Sequence, residues 1–343
     1  MKEEFLALQK HIELFIRSSH GDFGSLALRA YEFQFAYNLP YRAYCESLSA
    51  TPRSVSDWKE IPPAPAEAFK HKAPLSCFPP GDCERVFLTS GTTREVRGRH
   101  HMADLVLYRA AVRSGFERLA MLPPLFRVFL AGRPEKTPES SLATMFHILA
   151  EEAGSQCWLL AHSGEYDPGP LPEIDTPALV FATALTLHHL IEDGTLPRLP
   201  QGSWVFQTGG YKGLKTTYDQ AALYERIGCS LGVSPERILN EYGMTELSSQ
   251  AYSLGLGNAH QTPPWLKVRA LHPETGQWVS EGGSGQLVFY DLANLNSVCA
   301  LRTQDIGTVL DQHHFLLEGR DPEAPLRGCS RASDAFFQHH EDS

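Results

Sequence analysis

Short apolar runs alternate with longer amphipathic segments through the middle of the chain, and this alternation constrains the fold more than any other feature. The apolar runs cover residues 125–131, 156–161, 178–182 and 204–207. Runs of this length, separated by segments with helical periodicity, are typical of buried strands that crossover helices join. The pattern therefore predicts an α/β fold built on a mostly parallel sheet, within a core that spans residues 81–260.

The segments on either side of this core have different patterns. Before it, apolar residues recur at helical spacing near the start of the chain, and the proline-broken stretch 61–65 predicts an extended connector. After it, short alternating runs joined by turns predict antiparallel strands. We therefore expect a helical N-terminal cap over residues 1–80, a small antiparallel β subdomain over 261–320 and a tail over 321–343.

Charge and composition exclude some classes of function. The 343 residues include 40 acidic and 30 basic side chains, so the chain lacks the basic field that nucleic-acid binding needs. No stretch approaches the ~20 consecutive apolar residues of a membrane span, and the N-terminus does not have the layout of a signal peptide. We expect a cytoplasmic protein with no integral membrane segment and no nucleic-acid partner.

A loop of small and hydroxyl residues follows the first apolar strand of the core. Its glycine lets backbone amides approach an anion, its hydroxyls donate hydrogen bonds, and Arg94, Arg97 and Arg99 offset negative charge. Such a loop suits a polyphosphate without matching the Walker pattern, and a polar surface turn is the alternative for the loop taken alone. The loop residues are Thr89, Ser90, Gly91, Thr92 and Thr93.

A second polar cluster, NEYGMTE at residues 240–246, follows an apolar segment. Its Tyr242 can stack on a purine, Thr245 can reach a phosphate, and Glu246 can hold Mg²⁺. Taken alone, the cluster is explained more simply as a solvated loop that the tyrosine anchors.

Two further clusters follow along the chain, LRTQDIG at residues 301–307 and LEGRD at residues 317–321. The four clusters in this order resemble the adenylate-forming superfamily, whose members carry a Ser/Thr/Gly-rich phosphate loop, a YGxTE segment, a ribose-binding aspartate and a GRxD hinge. The resemblance implies the N-terminal domain of those enzymes, with layered, mostly parallel sheets and helices plus a small antiparallel β subdomain. It also implies that residues 81–260 bind nucleotide, with ATP and Mg²⁺ as cofactors.

The same resemblance gives individual residues a role. Tyr242 would stack near adenine, Thr245 would touch the phosphate, and Glu246 would hold Mg²⁺. Asp305 would bind the ribose hydroxyls, and Arg320 would lie close to the ribose. The other residues predicted to contact the nucleotide, including the glycine strip that flanks adenine in the superfamily, are Gly209, Gly210, Glu241, Gly243 and Met244.

Several stretches resemble a narrower group, the LuxE-type acyl-protein synthetase family of bacterial bioluminescence, whose members are long-chain fatty acid–protein ligases. These stretches are IPPAPAEAFK, FLTSGTT, QTGGYKGLK, NEYGMTELSSQAY and RGCS. The resemblance implies that a fatty acid is activated as an acyl-adenylate and that its acyl group passes to a cysteine near the C-terminus. It also implies a partner protein, an acyl reductase or acyl carrier, that receives the group.

Cys329, within RGCS, occupies the place of that acyl-accepting cysteine. The seven cysteines of the chain are scattered without a CxxC pair, which predicts free thiols rather than a disulfide framework or a structural zinc site. Arg327 and Arg331 favour the thiolate form of Cys329, the form that attacks an acyl-adenylate. For any single cysteine the alternative is an inert thiol.

Two departures from the wider superfamily leave the electrostatics of adenylation open. The phosphate loop lacks the usual lysine-glycine ending, and we expect the chain to lack the separate C-terminal domain that carries a catalytic lysine. A fixed charge-stabilising group beside a reacting centre is worth several kcal/mol, about 2.7–4 for one oxyanion donor. The candidate replacements on this chain are Lys212, Lys215, His100 and His101, and a partner protein is a further source.

Two other functions stay open on the sequence. A coenzyme A ligase of the phenylacetate type shares the early motifs but releases a free thioester. A non-catalytic assembly subunit that binds nucleotide or acyl-adenylate is suggested by the expected loss of the lysine domain. Long-chain fatty acids are implied only by the narrower resemblance, so aryl and short hydroxy acids are alternative substrates.

Overall fold

The computed structural model of the chain describes residues 1–89, 96–120, 122, 125–131, 135, 137–153, 156–158, 174–192, 194, 196–209 and 220–320. The α-helices of these residues are α1 (Lys2–Ser18), α2 (Phe23–Tyr37), α3 (Leu39–Ser47), α4 (Val106–Ala120), α5 (Ser141–Glu151), α6 (Ala184–Glu192) and α7 (Gln220–Leu231). Short 3₁₀ helices cover Trp58–Glu60, Ala66–Lys70, Pro80–Asp82 and Pro235–Arg237. Within the ranges described, none of the helices combines the length and apolar character that crossing a membrane requires.

The strands of the described residues are β1 (Ala64–Pro65), β2 (Arg85–Leu88), β3 (Arg99–Met102), β4 (Phe126–Leu130), β5 (Gln156–Trp158), β6 (Ala178–Thr183), β7 (Trp204–Thr208), β8 (Ile238–Tyr242), β9 (Ala251–Leu254), β10 (His260–Gln261), β11 (Leu266–Leu271), β12 (Ser284–Asp291), β13 (Ala300–Asp311) and β14 (His314–Arg320). The chain divides into two compact units. The first unit contains residues 1–114, residues 244–249 and the described residues from 262 onward. The second unit contains residues 115–243 and 250–261.

The N-terminal helices form where the sequence predicts them, with a break after the second. α1 buries its predicted apolar face, and Glu3 and Arg17 lie at the ends where the helix dipole favours their charges. Asn38 separates α2 from α3, because its side chain accepts a hydrogen bond from the Tyr41 amide at 3.3 Å and so caps α3. The same side chain donates to the Ser297 carbonyl at 2.9 Å, which ties both helices to a distant loop of the first unit.

The antiparallel strands predicted near the C-terminus are present in the first unit. β11, β12, β13 and β14 pair in chain order, and β1 adds to β13 in parallel, with Ala64 opposite Leu301. β13 extends well beyond the predicted apolar run at 298–301, because its polar second half continues in extended pairing with β14. Asp305 therefore lies within a strand.

A separate two-stranded hairpin in the first unit carries the base of the predicted phosphate loop. β2 and β3 pair antiparallel, with Leu88 opposite Arg99. The helical periodicity of residues 102–119 predicts a helix that begins at residue 102. The structure differs: the last three residues of β3 are buried, and α4 begins only at Val106.

The predicted parallel sheet is confirmed in the second unit. β5, β4, β6, β7 and β8 lie side by side in parallel, and the antiparallel strands β9 and β10 follow. On one face, Trp158, Phe129, Phe181 and Phe206 form a row whose successive ring centroids are 4.6, 4.6 and 4.8 Å apart. The opposite face packs on α6 and α7 through an aliphatic core. Because parallel strands end at one edge of a sheet, the carboxyl ends of β7 and β8 lie together.

Candidate active site

The predicted site residues divide between the two units. Those of the second unit are Gly209, Glu241, Tyr242 and Gly243. Those of the first unit are Thr89, Met244, Thr245, Glu246, Asp305 and Arg320. The predicted residues that lie outside the described part of the chain are Ser90, Gly91, Thr92, Thr93, Gly210 and Cys329.

A buried hydroxyl–carboxyl pair lies at the carboxyl ends of β7 and β8. Thr208 is paired with Glu241 in the strand register, and its hydroxyl donates a short hydrogen bond to Glu241 Oε2. Burial raises the pKa of Glu241 to about 7, although the hydrogen bond from Thr208 opposes this rise. Burial thus favours the protonated form of this carboxyl group far more than in an exposed glutamate.

Two glycines border this pair. A Cβ atom added at Gly243 would lie only 2.3 Å from Glu241 Oε1, so the position has no room for a side chain. Gly209, which follows Thr208, is exposed and has φ +73°, a conformation that glycine adopts without strain. Both glycines are exposed, and a side chain would meet no atom at Gly209 but would meet the Glu241 carboxyl group at Gly243.

Tyr242 lies beside a buried histidine that the sequence analysis did not identify. The rings of Tyr242 and His260 have their centroids 6.0 Å apart at an angle of 69°. His260 Nε2 accepts from the Asn240 side-chain amide at 3.3 Å, and burial lowers the His260 pKa to about 4. A neutral ring thus packs beside the tyrosine. No local signal in the sequence points to His260, because it reaches this place through the β9–β10 pairing.

Hydrogen bonds close the base of the predicted phosphate loop in the first unit. The amide of Thr89 donates to the Gly98 carbonyl at 2.9 Å, and the Gly98 amide donates to Thr89 Oγ1 at 2.8 Å. Arg97 Nε donates to the Thr89 carbonyl at 2.7 Å. Thr89 and the loop arginine Arg97 are therefore both used in holding the two ends of the loop together.

The backbone of Thr245 and Glu246 is held by two buried side chains from distant parts of the first unit. His100 Nδ1 lies 2.7 Å from the Thr245 carbonyl oxygen, and Asn294 Nδ2 donates to the Glu246 carbonyl at 2.7 Å. A turn closed by the Leu247 amide on the Met244 carbonyl at 3.0 Å contains both residues. The two predicted phosphate and metal residues thus sit on a fixed turn.

Asp291 holds the chain just after this turn. Its carboxylate accepts from the amides of Ser248 and Ser249, each at 2.9 Å, and from the Ser249 hydroxyl at 2.7 Å. Burial raises the pKa of Asp291, and these hydrogen bonds act in the opposite direction. Asp291 and Asn294 could not be found from the sequence, because they lie more than 40 positions from the turn and carry no local pattern that marks them as its partners.

Burial disfavours the charged form of His100 and of His101, two of the candidate replacement cations. It lowers the pKa of His100 to about 4 and also lowers that of His101. Both rings therefore favour the neutral form in the absence of a ligand. The other two candidates, Lys212 and Lys215, lie outside the described residues.

Asp305 and Arg320 are brought together by the β13–β14 pairing. They face each other in the strand register, at the end of β14. Arg320 Nε donates to Gln304 Oε1 at 3.1 Å, and its Nη2 donates to the same oxygen. The Asp305 amide donates to Thr303 Oγ1 at 3.0 Å. Asp305 and Arg320 come from different motifs and are 15 positions apart, but the pairing places them in one polar cluster on neighbouring strands.

Comparison with known proteins gives one sequence relative. The chain is similar to a long-chain-fatty-acid–luciferin-component ligase of Vibrio harveyi, with 22% identity over 305 residues. The match covers 82% of this chain and 78% of the ligase. No family model matches the chain.

The fold is similar to that of solved acid ligases. An open conformation of 2-hydroxyisobutyryl-CoA ligase, in complex with 2-HIB-AMP and CoA, has a TM-score of 0.63 at 15% identity, over 87% of this chain and 69% of that one. ATP-bound MatB from Rhodopseudomonas palustris has a TM-score of 0.50 at 15% identity. That match includes 71% of this chain and 49% of MatB, so the chain spans about half the length of MatB. The resemblance predicted from the motifs is thereby confirmed: the chain has the fold of the adenylate-forming ligases, and its sequence is similar to that of a LuxE-type ligase.

Proposed function

We propose that the protein uses ATP to activate a carboxylic acid as an acyl-adenylate and then transfers the acyl group to its own Cys329. The observation that carries this proposal is the placement of the motif residues on the fold. Thr208 and Glu241 end neighbouring parallel strands, where α/β sheets bind their ligands, and Asp305 faces Arg320 on paired strands. Similarity in sequence and in fold to acid ligases supports the same chemistry.

In the first step an oxygen of the substrate carboxylate attacks the α-phosphorus of ATP, and the bond from that phosphorus to pyrophosphate breaks. Such a displacement depends mainly on positioning and on neutralisation of charge. Tyr242 stacks near adenine, Asp305 binds the ribose hydroxyls, and Thr245 contacts the phosphate with the loop that starts at Thr89. The hydrogen bond at the Thr245 carbonyl fixes this residue before ATP binds, which limits reorganisation during the reaction.

Glu246 is the residue that we propose holds Mg²⁺. Its carboxylate supplies the oxygen ligand that Mg²⁺ prefers, and the residue is 9% exposed on a backbone that Asn294 holds. The donor chemistry and the fixed backbone fit the ion. Bound there, Mg²⁺ would offset the negative charge of the phosphate oxygens.

In the second step the thiolate sulfur of Cys329 attacks the acyl carbonyl carbon. A carbon–sulfur bond forms, and AMP leaves with the electron pair of the broken carbon–oxygen bond, the thiol proton having passed to solvent. The buried cysteines of the described residues support this choice by contrast. Burial raises the pKa of Cys45 to about 12 and also raises the pKa of Cys77 and Cys299, and a thiol that stays protonated is a poor nucleophile.

We further propose a long-chain fatty acid as the substrate and an acyl reductase as the partner that receives the acyl group, in the cytoplasm. Similarity to the long-chain-fatty-acid–luciferin-component ligase of Vibrio harveyi supports this class of acid. The resemblance of the motifs to the LuxE-type family supports the partner. An acid panel that runs from short hydroxy acids to long-chain fatty acids, assayed by acid-dependent exchange of pyrophosphate into ATP, tests the choice of substrate.

The fate of the acyl group is tested by incubation with Mg·ATP, radiolabelled acid and excess coenzyme A. We expect label on the protein that hydroxylamine releases, since a thioester is cleaved by this reagent. Soluble labelled acyl-CoA would instead favour a coenzyme A ligase, the function that the solved relative bound to CoA suggests. Absence of pyrophosphate exchange with every acid, with candidate partner proteins present, would favour a non-catalytic subunit.

Cys329→Ser and Cys229→Ser form a matched pair for the transfer step. Cys229 is exposed on α7 and serves as the control for a reactive thiol outside the predicted motif. We expect Cys329→Ser to abolish protein-bound label and to leave pyrophosphate exchange intact, whereas Cys229→Ser keeps both. Full labelling of Cys329→Ser would refute the assignment of the acyl-accepting cysteine.

A further inference from the structure

The His100 ring is buried and held on three sides within the first unit. It is 1% exposed, and the ring of Phe69 packs edge-on against it with a centroid distance of 5.3 Å. Nδ1 lies 2.7 Å from the Thr245 carbonyl oxygen, and Nε2 lies 3.0 Å from Ser297 Oγ. Both ring nitrogens thus have a partner at hydrogen-bond distance.

These partners determine which nitrogen carries the proton. A carbonyl oxygen only accepts hydrogen bonds, so Nδ1 of His100 must carry a hydrogen and donate to Thr245. The ring is neutral, because burial lowers its pKa to about 4, so Nε2 carries no hydrogen and accepts from the Ser297 hydroxyl. The Thr245 carbonyl therefore selects the tautomer, and the Ser297 hydroxyl, which can donate or accept, accommodates it.

The place of His100 along the chain links two motifs. It lies on β3, two residues after Gly98, whose hydrogen bonds with Thr89 close the base of the phosphate loop. Its partner Thr245 lies 145 positions away, on the turn that carries Glu246. Within the first unit, one side chain thus connects the end of the phosphate loop to the turn of the predicted phosphate residue.

We propose that His100, as the Nδ1–H tautomer that the Thr245 carbonyl requires, is a positioning residue that sets the place of Thr245 relative to the phosphate loop for the adenylation step. The proposal rests on the proposed function of the site. His100 itself contacts no substrate; it acts through the Thr245 carbonyl. Misplacement of a positioned group by about 1 Å can lower a rate by about a hundredfold.

The test compares two amides at position 100. In His100→Asn the side-chain NH₂ takes the place of Nδ1 and can donate to Thr245, whereas in His100→Gln it takes the place of Nε2 and faces Ser297. We expect His100→Gln to lower kcat of acid-dependent pyrophosphate exchange about 10–100-fold, with a smaller change in KM for ATP, and His100→Asn to retain most of kcat. His101→Asn, the next residue on the same strand, is the control and should keep wild-type kcat.

Equal losses in the Asn and Gln variants, at unfolding temperatures equal to that of His101→Asn, would overturn the proposal. If either variant does not fold, ¹⁵N NMR of the wild-type protein decides instead: a protonated Nδ1 and an unprotonated Nε2 on His100 are expected, and the opposite tautomer overturns it. The ¹⁵N measurement needs no activity. A wild-type protein that shows the expected tautomer without pyrophosphate exchange would refute the proposed function separately from the state of His100.

Discussion

At the scale of single residues, the position of the Glu241 carboxyl group is linked to the absence of a side chain at Gly243. The buried carboxyl group of Glu241 lies against the backbone of Gly243, where a Cβ atom would be 2.3 Å from Oε1. A carboxyl oxygen at that distance overlaps any side chain. A side chain at position 243 would therefore force the Glu241 carboxyl group to move.

Gly243→Ala should lower the free energy of unfolding by about 1–3 kcal/mol, because the new methyl group displaces the Glu241 carboxyl. In a Glu241→Ala background the same change should cost much less, since the overlapping oxygen is gone. Urea denaturation of the two single variants and the double variant gives the coupling directly. Gly81→Ala is the control, because a Cβ there would meet nothing within 4 Å. Equal costs of Gly243→Ala in both backgrounds would contradict the overlap.

Glu241 should also make stability depend on pH. Burial raises its pKa in the folded protein to about 7 from an ordinary 4.5, so the folded protein binds this proton more tightly than the unfolded chain. The resulting stability is present below pH 4.5 and is lost as the pH rises to about 7. Glu241→Gln removes this loss, so its stability relative to wild type should rise by up to about 3 kcal/mol over that interval. Denaturation curves of both proteins at pH 4.5 and at about pH 7 measure this change. A difference in stability between the two proteins that is the same at both pH values would contradict the prediction.

At the scale of elements, the β2–β3 hairpin combines a strong local closure with a predicted ligand loop. Thr89 uses its amide and its hydroxyl on the two backbone groups of Gly98, so one residue pair fixes the width of the loop base. The hydroxyl is thus used in the structure of the loop, while the resemblance assigns it to phosphate. Substitutions that change only the Thr89 hydroxyl test its role in closing the loop and its role in binding phosphate.

Thr89→Val keeps the shape of the side chain but leaves the Gly98 amide without its acceptor. We expect a loss of about 1 kcal/mol in the free energy of unfolding and a higher dissociation constant for ATP, because the loop base loosens. Thr89→Ser retains the hydroxyl and should stay near wild type in both. Calorimetric titration with ATP and urea denaturation measure the two effects. ATP affinity unchanged in Thr89→Val would show that the closure does not shape the loop.

The elements that sequence could predict are those with a regular apolar period. α1 shows its buried face in the spacing of its apolar residues, and the strands of the parallel sheet show as short apolar runs. β3 could not be predicted, since its His100 is buried through contacts with Thr245 and Ser297, which lie 145 and 197 positions away. The site behaves likewise: the motifs mark Tyr242 and Asp305, whereas the side chains that hold the backbone carry no motif.

At the scale of the whole molecule, the cysteines report on how each unit opens. Cys45, Cys77 and Cys299 are buried in the first unit, while Cys229 is exposed in the second. The described cysteines are free thiols, so they can react without prior reduction. Their reaction with a thiol reagent therefore separates surface chemistry from unfolding.

Native protein treated with iodoacetamide should be alkylated quickly at Cys229 and only on global unfolding at Cys45, Cys77 and Cys299. The buried thiols are both inaccessible and held protonated, since burial raises the pKa of each. Mass spectrometry of peptides over a time course, with and without urea, measures the rates. Alkylation of Cys299 at the rate of Cys229 in native protein would mean that the first unit opens locally.

The first unit is assembled from separate stretches of chain, and the short stretch 244–249 is bounded on both sides by residues of the second unit. The YGMTE segment is cut by this boundary, with Tyr242 and Gly243 in one unit and Thr245 and Glu246 in the other. Neither unit therefore corresponds to one uninterrupted segment of the coding sequence. A gene segment that ended at this boundary would divide the YGMTE motif between two products.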